Sequence, residues 1–331
     1  MSKVLTDMRL HDDAVDMLSK VATLVRTGSD LREDLLEKVR DADAAIIGGS
    51  VFNEEVFEVG SRLKIVARHG VGYDRVDVKA ASERKIYVTI TPSPELIEAV
   101  AEFALGLILS LAKKIPMADR YVRSEEYART RIWYSPSLQK MDSSPIVNLQ
   151  GRLLGIIGLG RIGREIAIKG RCLGMKIQYF DITRNHSLEK EYGFEYVELD
   201  DLLADSDFVS VSVPLTDQTR GLIGQREISL MKPTAYLINT ARGAILDQKA
   251  LHDALKKGKI AGAGLDVVEE EPLSPSDPIL ELNNVIVTPH VGGASAESHR
   301  AMAIMACEDV IKVLQGKRPD LSHLVNPEIL L

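Results

Sequence analysis

Three polar residues stand just past short apolar runs, where strand ends are expected. Leu237-Ile-Asn-Thr-Ala-Arg242-Gly carries a guanidinium, Glu271 closes the acidic loop after Gly264-Leu-Asp266, and Val285-Ile-Val-Thr-Pro-His290 delivers an imidazole. An arginine forks onto a carboxylate, and a histidine beside a glutamate is a proton donor for a carbonyl oxygen. Arg242, Glu271 and His290 together suit reduction of a 2-keto acid. The bland alternatives are a surface arginine, a solvated acidic loop at 269–271 and one ordinary histidine among seven. That bland reading holds for His11, His186, His252, His299 and His323. His290 differs, because Pro289 before it and Gly292-Gly293 after it hold it in a turn at the expected crevice.

The stretch from Gly151 to Gly163 organises the chain around these groups. Leu153, Leu154, Ile156 and Ile157 form an apolar run too short for a helix, and Ile162 and Ile166 then recur at helical spacing. Between them Gly158, Gly160 and Gly163 make a G-x-G-x-x-G turn around Arg161 and Ile162. In such a turn the first glycine permits the bend, the second lets amides approach a pyrophosphate, and the third lets helix pack on strand. A glycine-rich strand end also arises from close packing alone. The next apolar strand ends on Asp181, 18 residues past Gly163, where an acid meets the ribose of NAD.

Residues 3–90 alternate apolar runs at Val4-Leu5, Val21–Val25, Ala44–Ile47, Leu63–Ala67 and Ile86–Val88 with amphipathic segments, the mark of a parallel α/β sheet. One such segment begins at Asp30 as an acidic helix cap. Pro92 and Pro94 break the chain before a long apolar helix over Glu95–Leu111. Six further strands follow, at 153–158, 176–181, 208–213, 235–240, 262–267 and 285–288, with a helix capped by Asp247 and ended by Gly258. A last helix over Ala296–Gln315 returns toward the first part. At 331 residues with 45% hydrophobic content the chain has material for two cores. Gly70-Val71-Gly72, directly after the fourth strand, reads as a tight turn needing positive φ at Gly70 and Gly72, or as a set of amides able to hold a carboxylate.

Net charge of −7 gives no basic footprint for nucleic acid, although Arg120, Arg123, Arg129 and Arg131 cluster locally. Cys172 and Cys307 are too few for a disulfide framework or structural zinc and read as two buried thiols in a reducing compartment. No apolar run is long enough for a membrane span, the first residues carry charges where a signal peptide needs an apolar core, and a cytoplasmic protein with no metal is expected.

The motifs jointly resemble one family, the D-isomer-specific 2-hydroxyacid dehydrogenases, which include phosphoglycerate dehydrogenase and glyoxylate/hydroxypyruvate reductases. The likeness rests on Gly70-Val-Gly-Tyr-Asp74, Val100-Ala-Glu102, Gly158-Leu-Gly-Arg-Ile-Gly163, Val213-Pro-Leu-Thr-Asp-Gln-Thr219, Asn239-Thr-Ala-Arg-Gly243, Gly264-Leu-Asp266, Glu271-Pro272 and Pro289-His290. It implies a Rossmann dinucleotide-binding domain over 95–295 and a smaller flavodoxin-like α/β substrate domain from 1–94 and 296–331, with 115–150, Trp133 included, as the arm of a homodimer. It also implies that Arg242 orients a 2-keto acid, that Glu271 pairs with His290 as acid/base, and that Val71 and Gly72 amides hold the substrate carboxylate. NAD would lie along Gly158 to Gly163, Asp181, Val213, Pro214, Thr219, Thr240, Ala241 and Gly292, with Asp266 meeting the carboxamide. Arg75 departs from the asparagine often found there, and Arg68, Arg129 and Arg131 are compatible with a phosphate, a second carboxylate or plain solvation. The alternative from a different class is a corepressor-like protein of the same fold that senses NAD(H) without turnover.

Overall fold

A computed structural model describes residues 1–28, 32–129 and 145–331. Asp30 of the expected helix cap and Arg131, Trp133, Tyr134 and Pro136 of the expected arm lie outside these residues. The chain forms two compact units, Met1–Ile97 with Gly293–Leu331, and Glu98–Gly292.

The first unit holds a five-stranded parallel sheet, β1 (Ser2–Thr6), β2 (Ala22–Arg26), β3 (Ala44–Ile47), β4 (Ile65–Arg68) and β5 (Tyr87–Thr89), in the flavodoxin-like order β2-β1-β3-β4-β5. Both faces are covered, which is why these strands read as continuous apolar runs. Val4, Ile46, Ile65 and Ala67 pack with Ala14 and Leu18 of the helix Asp12–Ser19 and with Ala303, Cys307 and Val310 of the helix Ala296–Leu314. Leu5, Ile47, Val66 and Val88 face the other way, onto Leu35, Val56, Phe57 and Ala80.

The second unit holds seven parallel strands. These are β6 (Leu153–Ile157), β7 (Lys176–Phe180), β8 (Glu195–Tyr196), β9 (Phe208–Val211), β10 (Tyr236–Asn239), β11 (Gly262–Leu265) and β12 (Val285–Val287), in the order β12-β11-β10-β9-β6-β7-β8. Counted within the unit this is the doubly wound dinucleotide order 3-2-1-4-5-6 with one strand more, and its direction reverses between β6 and β9. Six strands are expected from the sequence. The seventh, β8, is two residues long, too short to show a period. Ile156 and Ile238 enter one core with Ala104, Ile108 and Ile166. Ile157, Val209, Val211 and Leu237 enter the other with Leu203, Leu251 and Leu255. The long apolar helix spans Pro94–Lys113, and the helix Gln248–Lys256 is capped by the Asp247 side chain accepting from the Ala250 amide.

Two expectations need correction. Cys172 ends the helix Arg161–Cys172 and is exposed; Cys307 alone is buried, and burial pushes its thiol up to about 12. Positive φ is taken at Gly70 (138°) and not at Gly72, so the turn requires only the first glycine.

Candidate active site

The carboxyl ends of β10, β11 and β12 bring Arg242, Glu271 and His290 into the second unit's crevice side. His290 Nδ1 lies 2.9 Å from Glu271 Oε2. Burial alone would raise the Glu271 carboxyl. The His290 hydrogen bond and charge, with smaller help from the Val268 amide and the Arg242 guanidinium, hold it below its ordinary value. Glu271 therefore stays ionised beside the imidazole, and its nearness to Arg242 places all three groups in one electrostatic neighbourhood.

His290 has φ of 55°, a left-handed conformation that a non-glycine residue seldom adopts. Asp266, 2% exposed, over-determines this turn. Its carbonyl accepts the His290 amide at 2.8 Å, its Oδ1 accepts the Thr288 hydroxyl at 2.7 Å and the Val291 amide at 3.0 Å, and its Oδ2 accepts the Gly292 amide at 2.8 Å. A Cβ on Gly292 would stand 2.8 Å from that same Oδ2. Arg242 is held by a second device. The Asn239 side chain, fully buried, donates to the Arg242 carbonyl at 2.9 Å and accepts from the Ala241 amide at 3.0 Å. At Gly243 a Cβ would stand 1.8 Å from the Val268 carbonyl oxygen, so only glycine lets the Arg242 loop cross the loop that leads to Glu271. Thr240 and Ala241 lie between these anchors, half-buried.

The glycine-rich turn divides its labour as its spacing requires. Gly158 has φ of 93°, and a Cβ there would meet Val213 at 2.7 Å. A Cβ on Gly163 would lie 2.0 Å from the Gly158 carbonyl oxygen, which is the close helix-to-strand packing. Gly160 caps the helix Arg161–Cys172 without a side-chain bond. Arg161 is exposed in its first turn, and Ile162 packs against the core. Past β9, Thr219 Oγ1 donates to the Pro214 carbonyl at 2.6 Å and closes the loop that Val213 and Pro214 begin.

In the first unit, the Gly70–Gly72 loop is braced from behind. Arg68 Nε donates to the Gly72 carbonyl at 2.7 Å, and its Nη1 donates to the Ile47 carbonyl at 3.0 Å and to that of Gly48. Arg68 thus serves backbone carbonyls. The Gly70 amide is taken by Thr91 Oγ1 at 2.7 Å, whereas the Val71 and Gly72 amides have no acceptor among the described residues. Arg75 reaches the Gly49 carbonyl at 2.9 Å, and Arg129 pairs with Glu125 at 2.8 Å.

Residues 105–292 match the family model "D-isomer specific 2-hydroxyacid dehydrogenase, NAD binding domain". A glyoxylate reductase of Korarchaeum cryptofilum is 45% identical over 297 residues, 89% of this chain and 86% of that one. The chain belongs to the D-isomer specific 2-hydroxyacid dehydrogenase family. A glyoxylate reductase of Aeropyrum pernix is 42% identical over 332 residues, 99% of this chain and 97% of that one. Among solved structures, an NADPH-dependent glyoxylate/hydroxypyruvate reductase of Sinorhizobium meliloti, in complex with NADP and malonate, superposes with a TM-score of 0.86 at 32% identity, covering 98% of this chain and 96% of that one. As a 2-hydroxyacid dehydrogenase the chain uses a nicotinamide dinucleotide for hydride exchange with a 2-hydroxy or 2-keto acid. The non-catalytic alternative is not favoured.

The dehydrogenase's crevice fits such a cofactor. A Cβ on Gly160 would meet nothing within 4 Å, so the space in front of the uncapped helix N-terminus is open to a pyrophosphate. Ser212, past β9 at the reversal of strand order, has a buried hydroxyl with no partner among the described residues. Sequence reading missed Ser212, and the only signal for it was its place one residue before Val213-Pro214. Asp181 Oδ2 accepts the Leu159 amide at 2.7 Å and Oδ1 accepts the Thr183 amide at 3.1 Å, leaving a lone pair on each oxygen for ribose hydroxyls.

Nearby, Arg184 forks onto Glu189, with Nε to Oε1 at 2.8 Å and Nη2 to Oε2 at 2.9 Å, and lies 5.4 Å from the centre of the Tyr196 ring. The Arg184 and Tyr179 hydrogen bonds push the Glu189 carboxyl down to about 2.

Proposed function

We propose that this dehydrogenase reduces small 2-keto acids of the glyoxylate and hydroxypyruvate class with NADH, using Arg242, Glu271 and His290. The observation that carries the reading is the His290–Glu271 contact beside Arg242, at strand ends of the same sheet whose glycine turn receives the dinucleotide. The bound nicotinamide supplies the hydride. His290, with Nδ1 donating to Glu271, keeps Nε2 for the substrate oxygen and delivers its proton there during reduction; for oxidation it starts neutral and takes that proton back. Glu271 fixes the ring's tautomer and orientation. Arg242 forks onto the keto acid and orients it. Val71 and Gly72 amides are proposed to hold the carboxylate, and Met1–Ile97 with Gly293–Leu331 to be the substrate domain. Val213, Pro214, Thr219, Thr240, Ala241, Gly292 and the Asp266 carboxylate complete the proposed cofactor contacts. NAD is proposed over NADP because Asp181 repels a 2′-phosphate.

The enzyme is proposed to act as a cytoplasmic homodimer. Support for the dimer comes from the helix Ile115–Val122, which buries none of its residues, and from exposed Ile115, Val122, Tyr127 and Ile146. Among the described residues no helix is long and apolar enough to cross a membrane. Steady-state assay of glyoxylate, hydroxypyruvate, pyruvate and bulkier keto acids with NADH tests the reading. Highest kcat/KM for glyoxylate and hydroxypyruvate is expected. NADH binding without turnover across the panel would overturn it.

A further inference from the structure

The loop after β7 contains an acid, Asp181, and three residues later a base, Arg184. In dinucleotide folds this loop faces the adenosine ribose, where an acid selects the 2′-hydroxyl and an arginine accommodates a 2′-phosphate. Having both is ambiguous, and the ambiguity is removed by a third residue in the following helix, His186–Tyr192.

Glu189 engages both sides of the guanidinium edge, at 2.8 and 2.9 Å. It is itself pinned, since Tyr179 donates its hydroxyl to Glu189 Oε1 at 2.7 Å while accepting the Asn185 amide at 2.8 Å. Tyr179 is fully buried, so this anchor is rooted in the core. The Tyr196 ring packs at 5.5 Å against Tyr179 and lies under Arg184, fixing the guanidinium from a second direction. Asp181 and Arg184 both act electrostatically on the Tyr196 hydroxyl, so the acid and the base share one small region. Glu189 leaves that region with a net negative charge.

We propose that Glu189 is a specificity-determining residue: by neutralising and orienting Arg184 it denies a 2′-phosphate its counter-charge and so enforces NAD over NADP. It acts through Arg184 and is a positioning residue. The proposal rests on the reading of Asp181 as the ribose-facing acid. It differs from that reading in predicting that removal of a second carboxylate, with Asp181 intact, opens the site to phosphate.

Calorimetric titration with adenosine 2′,5′-bisphosphate and with 5′-AMP, which differ only in the 2′-phosphate, tests this without turnover. Glu189→Gln keeps an acceptor for Tyr179 while removing the charge. It is expected to tighten the bisphosphate about tenfold, the size of one charge-assisted hydrogen bond, and to leave 5′-AMP unchanged. Adding Arg184→Met to Glu189→Gln should abolish the gain, and Arg184→Met alone should leave the bisphosphate within about twofold of wild type. An unchanged bisphosphate Kd in Glu189→Gln, or a gain that survives loss of Arg184, would overturn the proposal. Because Arg184 is half exposed, its single variant keeps the test open even if Glu189→Gln fails to fold: a tenfold loss there would mean that Arg184 already serves phosphate. The wild-type ratio of the two Kd values separately tests the NAD reading.

Discussion

Asp266 holds the His290 turn with both its backbone and its side chain. The His290 amide donates to the Asp266 carbonyl, and the Asp266 carboxylate collects the Thr288 hydroxyl and the Val291 and Gly292 amides around the same turn. A left-handed histidine persists there because its neighbours on both sides are tied to one buried acid.

Replacing that acid tests the tie. In Asp266→Asn the amide group must turn a donor toward one of the donors it now accepts from. The expected cost is about 2 kcal/mol of stability with a lower kcat, read by urea unfolding and steady-state assay. Unchanged stability and kcat would show that the turn holds itself.

The glycine turn separates folding from binding. Gly160→Ala places a methyl in open space, so unfolding should match wild type while the NADH Kd, followed by fluorescence, rises about tenfold or more. Gly163→Ala meets the Gly158 carbonyl oxygen and should cost about 3 kcal/mol or the fold itself. Equal behaviour of the two variants would contradict the division of roles.

The Glu271–His290 pair sets a pH dependence. The Glu271 carboxyl lies below its ordinary value, so its charge is present through the range in which imidazole titrates and is lost only as pH falls through the lowered value. Glu271→Gln removes that charge and leaves a neutral acceptor beside the His290 ring. In wild type kcat/KM for reduction should fall as pH drops through the lowered Glu271 value, and this acid limb should be absent from Glu271→Gln, whose rate should be lower throughout. Superimposable profiles would exclude an ionised pair.

His69 should make stability depend on pH in the first unit. Burial first, then the charges of His299 and Arg68, push its imidazole down to about 4. A depressed value means the neutral form is favoured in the fold, so this contribution is complete above about pH 6.5 and is lost as pH falls toward 4. By pH 4 the loss approaches about 3 kcal/mol. His69→Gln should flatten the slope between those limits in urea unfolding, and an unchanged slope would show that His69 is solvated.

Strand positions and the glycine turn were legible because period and φ demands are local properties of the sequence. Contacts between loops were not. Glu271 and His290 are 19 residues apart with no shared period, so their places past strand ends set them on one side of the sheet but gave no contact between them. Gly243 read as one more glycine in a motif, whereas its necessity comes from Val268 of another loop. Ser212 had only its place before Val213-Pro214, and Glu189 and the two-residue strand β8 gave no pattern at all, since their meaning lies in what the fold sets beside them. His69, unremarked in the sequence, is an imidazole that burial perturbs.

In the proposed mechanism His290 supplies the proton for keto-acid reduction. His290→Asn is the decisive variant, because asparagine tolerates the left-handed backbone that this position takes. Single-turnover NADH oxidation with glyoxylate should slow about 100-fold or more in the variant, the size of a general-acid contribution, while the NADH Kd stays within about twofold of wild type. A variant that turns over at the wild-type rate would contradict it.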